Sequence, residues 1–237
     1  MGNIVNKDSF LQNLYQKLGS QPVDSRTLDF MPINDLPHET LAGKTQSELL
    51  EIAKARAPKV NAEIVTVDAE QFENRLLEIA KNYGGGNVLL PTDTRLAEYD
   101  LLNFGEHESD LNVRYWQVGN ENRSVNIANA QASNVAIAFA EYLIAESASI
   151  VVENHQGQGR TLHFLPTHYI SIVPFSKIIA RTTQWADAYQ AKLRQGKKIG
   201  SDVTIISGPS NSGDIEMVLV TGLHGPIEVT YVVVMDK

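Results

Sequence analysis

The sequence lacks cysteine entirely. None of its 237 residues can form a disulfide, act as a thiolate nucleophile or hold an iron–sulfur cluster through a thiolate. No apolar run reaches the ~20 residues that a transmembrane helix needs. Residues 1–10 contain neither the basic start nor the apolar core of a secretory signal. These absences predict a cytoplasmic protein without a membrane span.

Positive charge is also scarce. The 20 Lys and Arg residues are outnumbered by 28 Asp and Glu residues, which gives a net charge of −8. Binding to nucleic acid depends on clustered cations that neutralise phosphate groups, so this composition predicts no nucleic-acid partner. Hydrophobic residues make up 43% of the chain, which is enough to build a packed core and argues against intrinsic disorder.

The beginning of the chain predicts a helix followed by an extended arm. Apolar residues recur at helical spacing between Asp8 and Leu18, and Gly19 is a typical helix end. Turn residues and three prolines follow as far as Leu41 and do not fit a core element. We therefore expect an N-terminal helix and extended arm over residues 1–44 and a single α/β domain over residues 45–237.

Beyond residue 44, apolar segments alternate between the patterns of helices and strands. Strands are predicted at residues 62–67, 87–90, 113–118, 143–145, 150–152, 168–173, 202–206 and 227–235, and helices at 45–57, 69–82, 94–102 and 183–194. Such alternation implies βαβ crossovers and a parallel sheet, to which a hairpin at 143–152 adds antiparallel pairing. The predicted fold class is α/β, with an open, mostly parallel mixed sheet and helices on both faces.

The richest candidate site is the segment over residues 207–226, which reads SGPSNSGDIEMVLVTGLHGP. It follows a predicted strand, and the apolar residues in its second half have helical spacing. A strand-to-helix turn containing Gly208, Ser210 and Ser212 could present backbone amides and hydroxyl groups to a small anion. We expect this turn at the carboxyl edge of the sheet, where α/β proteins commonly bind ligands.

On spacing alone, a structural interpretation of the same residues is favoured. Ser212 can cap the predicted helix while Asp214 and Glu216 complement the helix dipole. The two carboxylates would repel a phosphate that they faced. In that case they could instead bind a cationic or hydroxylated part of a ligand.

Two further residues are candidates for chemistry. His224 lies in a turn close in sequence to Ser210 and could hold or protonate a ligand, although a structural hydrogen bond explains it equally well. Glu146 lies in the predicted hairpin turn and is a candidate base or nucleophile. The six histidines do not show the spacing of a metal site, so no metal is predicted.

The segment at 207–226 resembles the C-terminal signature of the LutC/YkgG family of lactate utilization proteins, which contain a LUD domain. That signature runs roughly GPS-x-[ST]-[AG]-DIE and then G-x-HGP; this chain has GPSNSGDIE and GLHGP. Two upstream segments, AEYLIAESASIVV and GQGRTLHFLPTHYISIVPFSKII, resemble other motifs of the family. The likeness covers the chain from about residue 134 onward and is looser over residues 45–131. It implies the fold of the NagB/RpiA/CoA transferase-like superfamily.

The resemblance also implies a role in the oxidation of L-lactate to pyruvate, beside separate iron–sulfur subunits. Because the chain has no cysteine, we expect the clusters on those partner subunits and no cofactor on this chain. Two alternatives stay open. One is a stand-alone enzyme acting on a small phosphorylated or CoA-linked acid, with Glu146 as base or nucleophile. The other is a regulatory or scaffold protein with a vestigial pocket.

The hairpin turn departs from the family pattern. Ala148 stands where the family has glycine, and Ser147 and Ser149 replace threonines. Alanine at a position that needs a positive φ is strained. We therefore expect that the turn is rebuilt here.

Overall fold

The computed structural model describes residues 5–20, 33–200, 202–213, 219–235 and 237. The chain forms two units, Met1–Asp35 and Leu36–Lys237. The first contains helix α1 (Lys7–Leu18), which ends at Gly19 and confirms the helix predicted there. Most of the predicted arm, residues 21–32, lies outside the described residues.

The second unit contains the remaining elements. Its strands are β1 (Ala62–Val67), β2 (Gly86–Leu90), β3 (Leu111–Tyr115), β4 (Val135–Phe139), β5 (Tyr142–Ile144), β6 (Ser149–Asn154), β7 (His168–Pro174), β8 (Ile178–Ile179), β9 (Asp202–Ile206), β10 (Asn211–Gly213), β11 (Leu219–Thr221) and β12 (Glu228–Val234). Its helices are α2 (Leu36–Glu39), α3 (Gln46–Arg56), α4 (Phe72–Asn82), α5 (Arg95–Glu98), α6 (Arg123–Ala132), α7 (Arg160–Phe164) and α8 (Thr182–Arg194).

The main sheet has six strands in the order β1-β12-β7-β4-β2-β3, and every pair in it is parallel. All five residues of β4, at the centre, are buried, as expected for a strand covered on both faces. Helices flank this sheet, which confirms the predicted α/β class. No helix in the described ranges is long and apolar enough to cross a membrane.

The predicted hairpin forms, but in a second sheet. β5 and β6 pair antiparallel, and the sheet order is β8-β5-β6-β9. Leu143, Ile150 and Val152 are fully buried in the same core cluster as the main sheet. The hairpin therefore covers one face of the main sheet instead of adding antiparallel strands to it, because its apolar side chains pack as a layer.

Successive residues of the main strands point into two separate cores. On one face, Ala136 and Tyr231 pack with α3, α6, α7 and the second sheet. On the other face, Ile137 and Val232 pack with α4 and the segment around Phe104. This alternation follows from the two-residue period of a strand. Because both faces of the main sheet are covered, ligands can approach at the amino-terminal and carboxyl-terminal ends of its strands.

Candidate functional site

A polar cavity lies where the loop after β9 approaches the amino-terminal ends of β7 and β12. Its volume is about 380 Å³, within the range of small-molecule sites. The polar residues that line this cavity are His163, Tyr169, Ser207, Ser210, Asn211 and His224. No lysine or arginine lines it in the described part of the chain.

The position of this cavity corrects the sequence prediction. We expected the Gly208–Ser210 turn at the carboxyl edge of the parallel sheet, but it lies at the amino-terminal edge. The reason is that β9 belongs to the second sheet, so its end has no relation to the carboxyl ends of the main strands. The Ser210 amide donates to the Pro226 carbonyl at 2.9 Å, which holds the loop beside the entry to β12.

His163 is the most unusual group in the cavity. It is 1% exposed, and its Nδ1 lies 2.8 Å from the hydroxyl of Tyr169. Its Nε2 is buried and has no hydrogen-bond partner among the described residues. Burial lowers the pKa of His163 to about 3, so the ring is neutral near pH 7. A buried polar atom without a partner is costly, and a ligand in the cavity could supply that partner.

The backbone amides predicted to hold an anion are already engaged. Gly208 has φ +69, and a Cβ there would collide with the Val60 carbonyl, so glycine is required. Its amide donates to the hydroxyl of Tyr231 at 2.8 Å, while the amide of Ser210 donates to Pro226. These two amides are therefore unavailable to a phosphate, and the predicted anion seat does not form from them.

Side chains provide the hydrogen-bonding capacity instead. The Ser210 hydroxyl accepts from the His224 amide at 3.2 Å and keeps its own proton to donate. His224 is exposed and its ring lines the mouth of the cavity. Gly208, Ser210 and His224, three of the predicted ligand-binding residues, are thus brought together around one cavity.

The rest of the segment differs from the prediction. Ser212 lies in β10, opposite Val220 of β11, and does not line the cavity. Residues 219–221 form strand β11, so the helix predicted there is wrong. Asp214 and Glu216 lie outside the described residues.

A comparison with models of known protein families shows which family this chain belongs to. The family model described as "LUD domain" matches residues 50–234, which is most of the second unit.

The chain belongs to the LUD domain family.

Relatives along the whole chain carry one name. Lactate utilization protein C of Geobacillus thermodenitrificans is 36% identical over 241 residues, covering 100% of this chain and 99% of the relative. The proteins of that name from Bacillus licheniformis and Bacillus subtilis are 35% and 33% identical, each with the same coverage. A crystal structure of a DUF162 family protein from Deinococcus radiodurans matches with a TM-score of 0.56 and 17% identity. It covers 81% of this chain and 99% of that chain, and it shows the shared fold alone.

Glu146 of this LUD domain does not line the polar cavity. Its carboxylate, in the turn between β5 and β6, pairs at 2.7 Å with Arg181, which directly precedes α8. The two predicted stretches nevertheless adjoin, because the Ser149 hydroxyl lies 2.6 Å from that of Ser207. The hairpin therefore contacts the cavity wall through the Ser149–Ser207 hydrogen bond, while Glu146 forms an ion pair outside the cavity.

The hairpin turn is not rebuilt around Ala148, contrary to our expectation. Ala148 keeps a positive φ of 49° and is completely buried. Its methyl group belongs to the apolar core beneath the second sheet. Burial of the methyl, worth about 0.8 kcal/mol, offsets part of the ~1–2 kcal/mol that a left-handed alanine costs. A positive φ in this turn is thus compatible with alanine.

Sequence reasoning missed two residues of the cavity, His163 and Tyr169. His163 lies on α7, a five-residue helix that had no detectable pattern, and Tyr169 reads simply as part of an apolar strand. Adjacent helical residues such as Leu162 and His163 lie about 100° apart, so the apolar leucine did not indicate that the histidine is buried.

Proposed function

We propose that this LUD domain is a cytoplasmic component of the system that oxidises L-lactate to pyruvate, working with separate subunits that hold iron–sulfur clusters. Full-length relatives named Lactate utilization protein C support the lactate role. The absence of cysteine supports the need for separate iron–sulfur subunits, because clusters held by thiolates must then lie on other chains.

The observation that carries the proposal is the chemistry of the polar cavity. A phosphorylated or CoA-linked acid would need cations or free amides, whereas the described lining has neither lysine nor arginine and the amides of Gly208 and Ser210 are bonded internally. Hydroxyl and imidazole groups instead suit the hydroxyl or carbonyl oxygen of a small acid. We propose that the cavity holds L-lactate or pyruvate.

Within the proposed site each group has a defined task. His163 is neutral, so its Nε2 forms a hydrogen bond with the ligand without adding a charge to the cavity. Ser210 donates its hydroxyl proton while the His224 amide fixes its oxygen. His224, at the exposed mouth, is the group that contacts the ligand carboxylate.

Ligand binding is tested by calorimetry with L-lactate and with pyruvate. The His163→Phe and Ser210→Ala variants are each expected to lose about tenfold in affinity, which is the value of one hydrogen bond to a buried partner. The exposed Ser176→Ala serves as the matched control and is expected to bind like the wild type. Equal affinity in all four proteins would remove the cavity from the proposal.

The role in the pathway is tested in cells. Deletion of this chain is expected to abolish growth on L-lactate but not on pyruvate, and the wild-type chain is expected to restore it. A tagged chain purified from lactate-grown cells should carry subunits that contain iron and acid-labile sulfide. Turnover of a phosphorylated or CoA-linked acid by the isolated chain would instead favour the stand-alone enzyme.

A further inference from the structure

A second, larger cleft lies at the opposite, carboxyl edge of the main sheet. β2 and β4 are neighbours there, and the chain leaves β2 toward β3 but leaves β4 toward β7, in opposite directions. Such a reversal opens a crevice that α/β proteins commonly use for ligands. The larger cleft, of about 690 Å³, adjoins this crevice and shares His155 with it. Trp116, Asn120, Arg123 and Lys198 also line it, and we call it the edge cleft.

The charges in the crevice between β2 and β4 are paired with one another. Arg95 contacts Asp93 at 2.7 Å and Glu141 at 2.9 Å, and His155 lies 3.2 Å from Asp93. Asp93, Arg95 and Glu141 are partly or wholly buried, whereas His155 is exposed. Together the four groups fix the loops after β2, β4 and β6. They hold the wall of the crevice and leave no charge without a partner.

The charges of the edge cleft differ from those of the crevice. Arg123 and Lys198 line it, and neither forms an ion pair or a side-chain hydrogen bond within the described ranges. The one carboxylate in the lining, Glu153, accepts from the Tyr189 hydroxyl at 2.6 Å and from the Gly200 amide at 2.5 Å. In a chain with a net charge of −8, two unpaired cations in one concavity mark a place for an anionic group.

An aromatic wall stands beside these cations. The Trp116 indole nitrogen donates to the Gln156 carbonyl at 3.1 Å. The ring also packs so closely on Gly159 that a Cβ there would overlap it. Trp116 is thus held in one orientation, and its half-buried ring remains part of the cleft lining. A fixed ring next to two cations suits a ligand with a planar group and a phosphate.

We propose that the edge cleft binds a phosphorylated organic molecule of nucleotide size, with its phosphate groups on Arg123 and Lys198 and its planar part against Trp116. This site is separate from the polar cavity and does not depend on the proposed role in lactate oxidation. The proposal concerns binding, and no bond is made or broken.

The test is calorimetry of the full chain with ADP and, in parallel, with inorganic pyrophosphate. We expect ADP to bind with a Kd below about 1 mM at low salt and to bind more weakly as salt rises. Arg123→Ala and Lys198→Ala should each weaken binding about tenfold. Lys197→Ala is the charge-matched control, because this neighbouring lysine does not line the cleft; it should change affinity less than twofold.

The aromatic contact has its own readout. ADP should alter the fluorescence of Trp116, and the change should disappear in Trp116→Phe, since the other tryptophan, Trp185, is not part of the cleft. Pyrophosphate should bind more weakly than ADP. The proposal is overturned if ADP fails to bind up to about 5 mM, or if all three cation variants bind it alike. Equal affinity for ADP and pyrophosphate, with no change in fluorescence, overturns the planar part of the ligand. Either failure leaves the tests of the polar cavity unaffected.

Discussion

His163 is almost wholly buried and keeps a pKa of about 3, because burial disfavours its charged form. An unfolded histidine has a pKa of about 6.5. Between these two values the unfolded chain binds a proton that the folded chain does not. The free energy of unfolding should therefore fall as the pH drops from 6.5 toward 3, and should be independent of this group above 6.5.

This dependence can be isolated with the His163→Gln variant. For the wild type, His163 alone should lower the free energy of unfolding by about 2 kcal/mol between pH 7 and pH 5. The variant loses the hydrogen bond to Tyr169 and is less stable at every pH, but it should lack this part of the pH dependence. Urea unfolding at pH 7, 6 and 5 measures both. Parallel curves for the two proteins would show that the ring is protonated in the folded state.

The side chain of Gln158 bonds the backbone at the end of β4, where β2 no longer pairs with that strand. It is fully buried, and its amide accepts from the Phe139 N–H at 3.2 Å and donates to the Phe139 carbonyl at 3.0 Å. In Gln158→Ala both backbone groups of Phe139 lose their partners. We expect a loss of about 2–4 kcal/mol in the free energy of unfolding, measured with urea.

The exposed neighbour Gln156 provides the control for this substitution. Its side chain lies at the surface, so Gln156→Ala should change the stability by less than about 0.5 kcal/mol. If both variants unfold at the same urea concentration as the wild type, water replaces the lost amide and the strand end does not depend on Gln158.

At the scale of elements, α3 depends on a capping box. The Thr45 hydroxyl accepts from the Glu48 amide at 3.3 Å, and the Glu48 carboxylate accepts from the Thr45 amide at 2.9 Å. Thr45→Ala should lower the stability by about 1 kcal/mol, which corresponds to about 2–4 °C in Tm for a domain of this size. Ser47→Ala, on the exposed face of the same turn, should leave the Tm unchanged or slightly raised, because alanine favours the helix. Equal losses in the two variants would argue against the cap.

Most elements were predictable because their patterns are local. Strands β1 and β9 have the predicted bounds, and α4 differs only in that its first turn, Ala69–Gln71, is a 3₁₀ turn. Helix α6 was missed because its sequence, RSVNIANAQA, offers few apolar residues. Strand β11 was mistaken for helix because a short apolar run fits both periods, and only its pairing with β10 decides between them.

The candidate site was less predictable than the elements. The sequence places Gly208, Ser210 and His224 close along the chain, and they do meet around one cavity. His163 and Tyr169 reach it from elsewhere in the fold, and the split into two sheets moves the cavity to the amino-terminal edge. Pairings such as β6 with β9 join residues far apart in sequence, which a pattern along the chain does not encode.

At the scale of the whole molecule, the main sheet depends on its last strand. β12 lies between β1 and β7 and forms six residue pairs with β1 and seven with β7. Residues such as Tyr231 and Val232 are fully buried. A chain ending at residue 227 would leave β1 without a partner and both cores open. We expect it to show no cooperative thermal transition by circular dichroism.

Removal of residues 1–20 serves as the control for this truncation. Helix α1 buries none of its side chains, so the shortened chain should melt within a few degrees of the full one. A cooperative transition in the chain that ends at residue 227 would mean that the sheet closes without β12.

The place of β12 also bears on how the chain is made. β1 leaves the ribosome early, but its strand partner follows only after about 165 further residues, roughly 10–30 s at ordinary rates of protein synthesis. During that interval the nascent polypeptide exposes the unpaired edges of β1 and β7, which are open to pairing with other chains. The growing polypeptide therefore needs chaperone protection until β12 has been made.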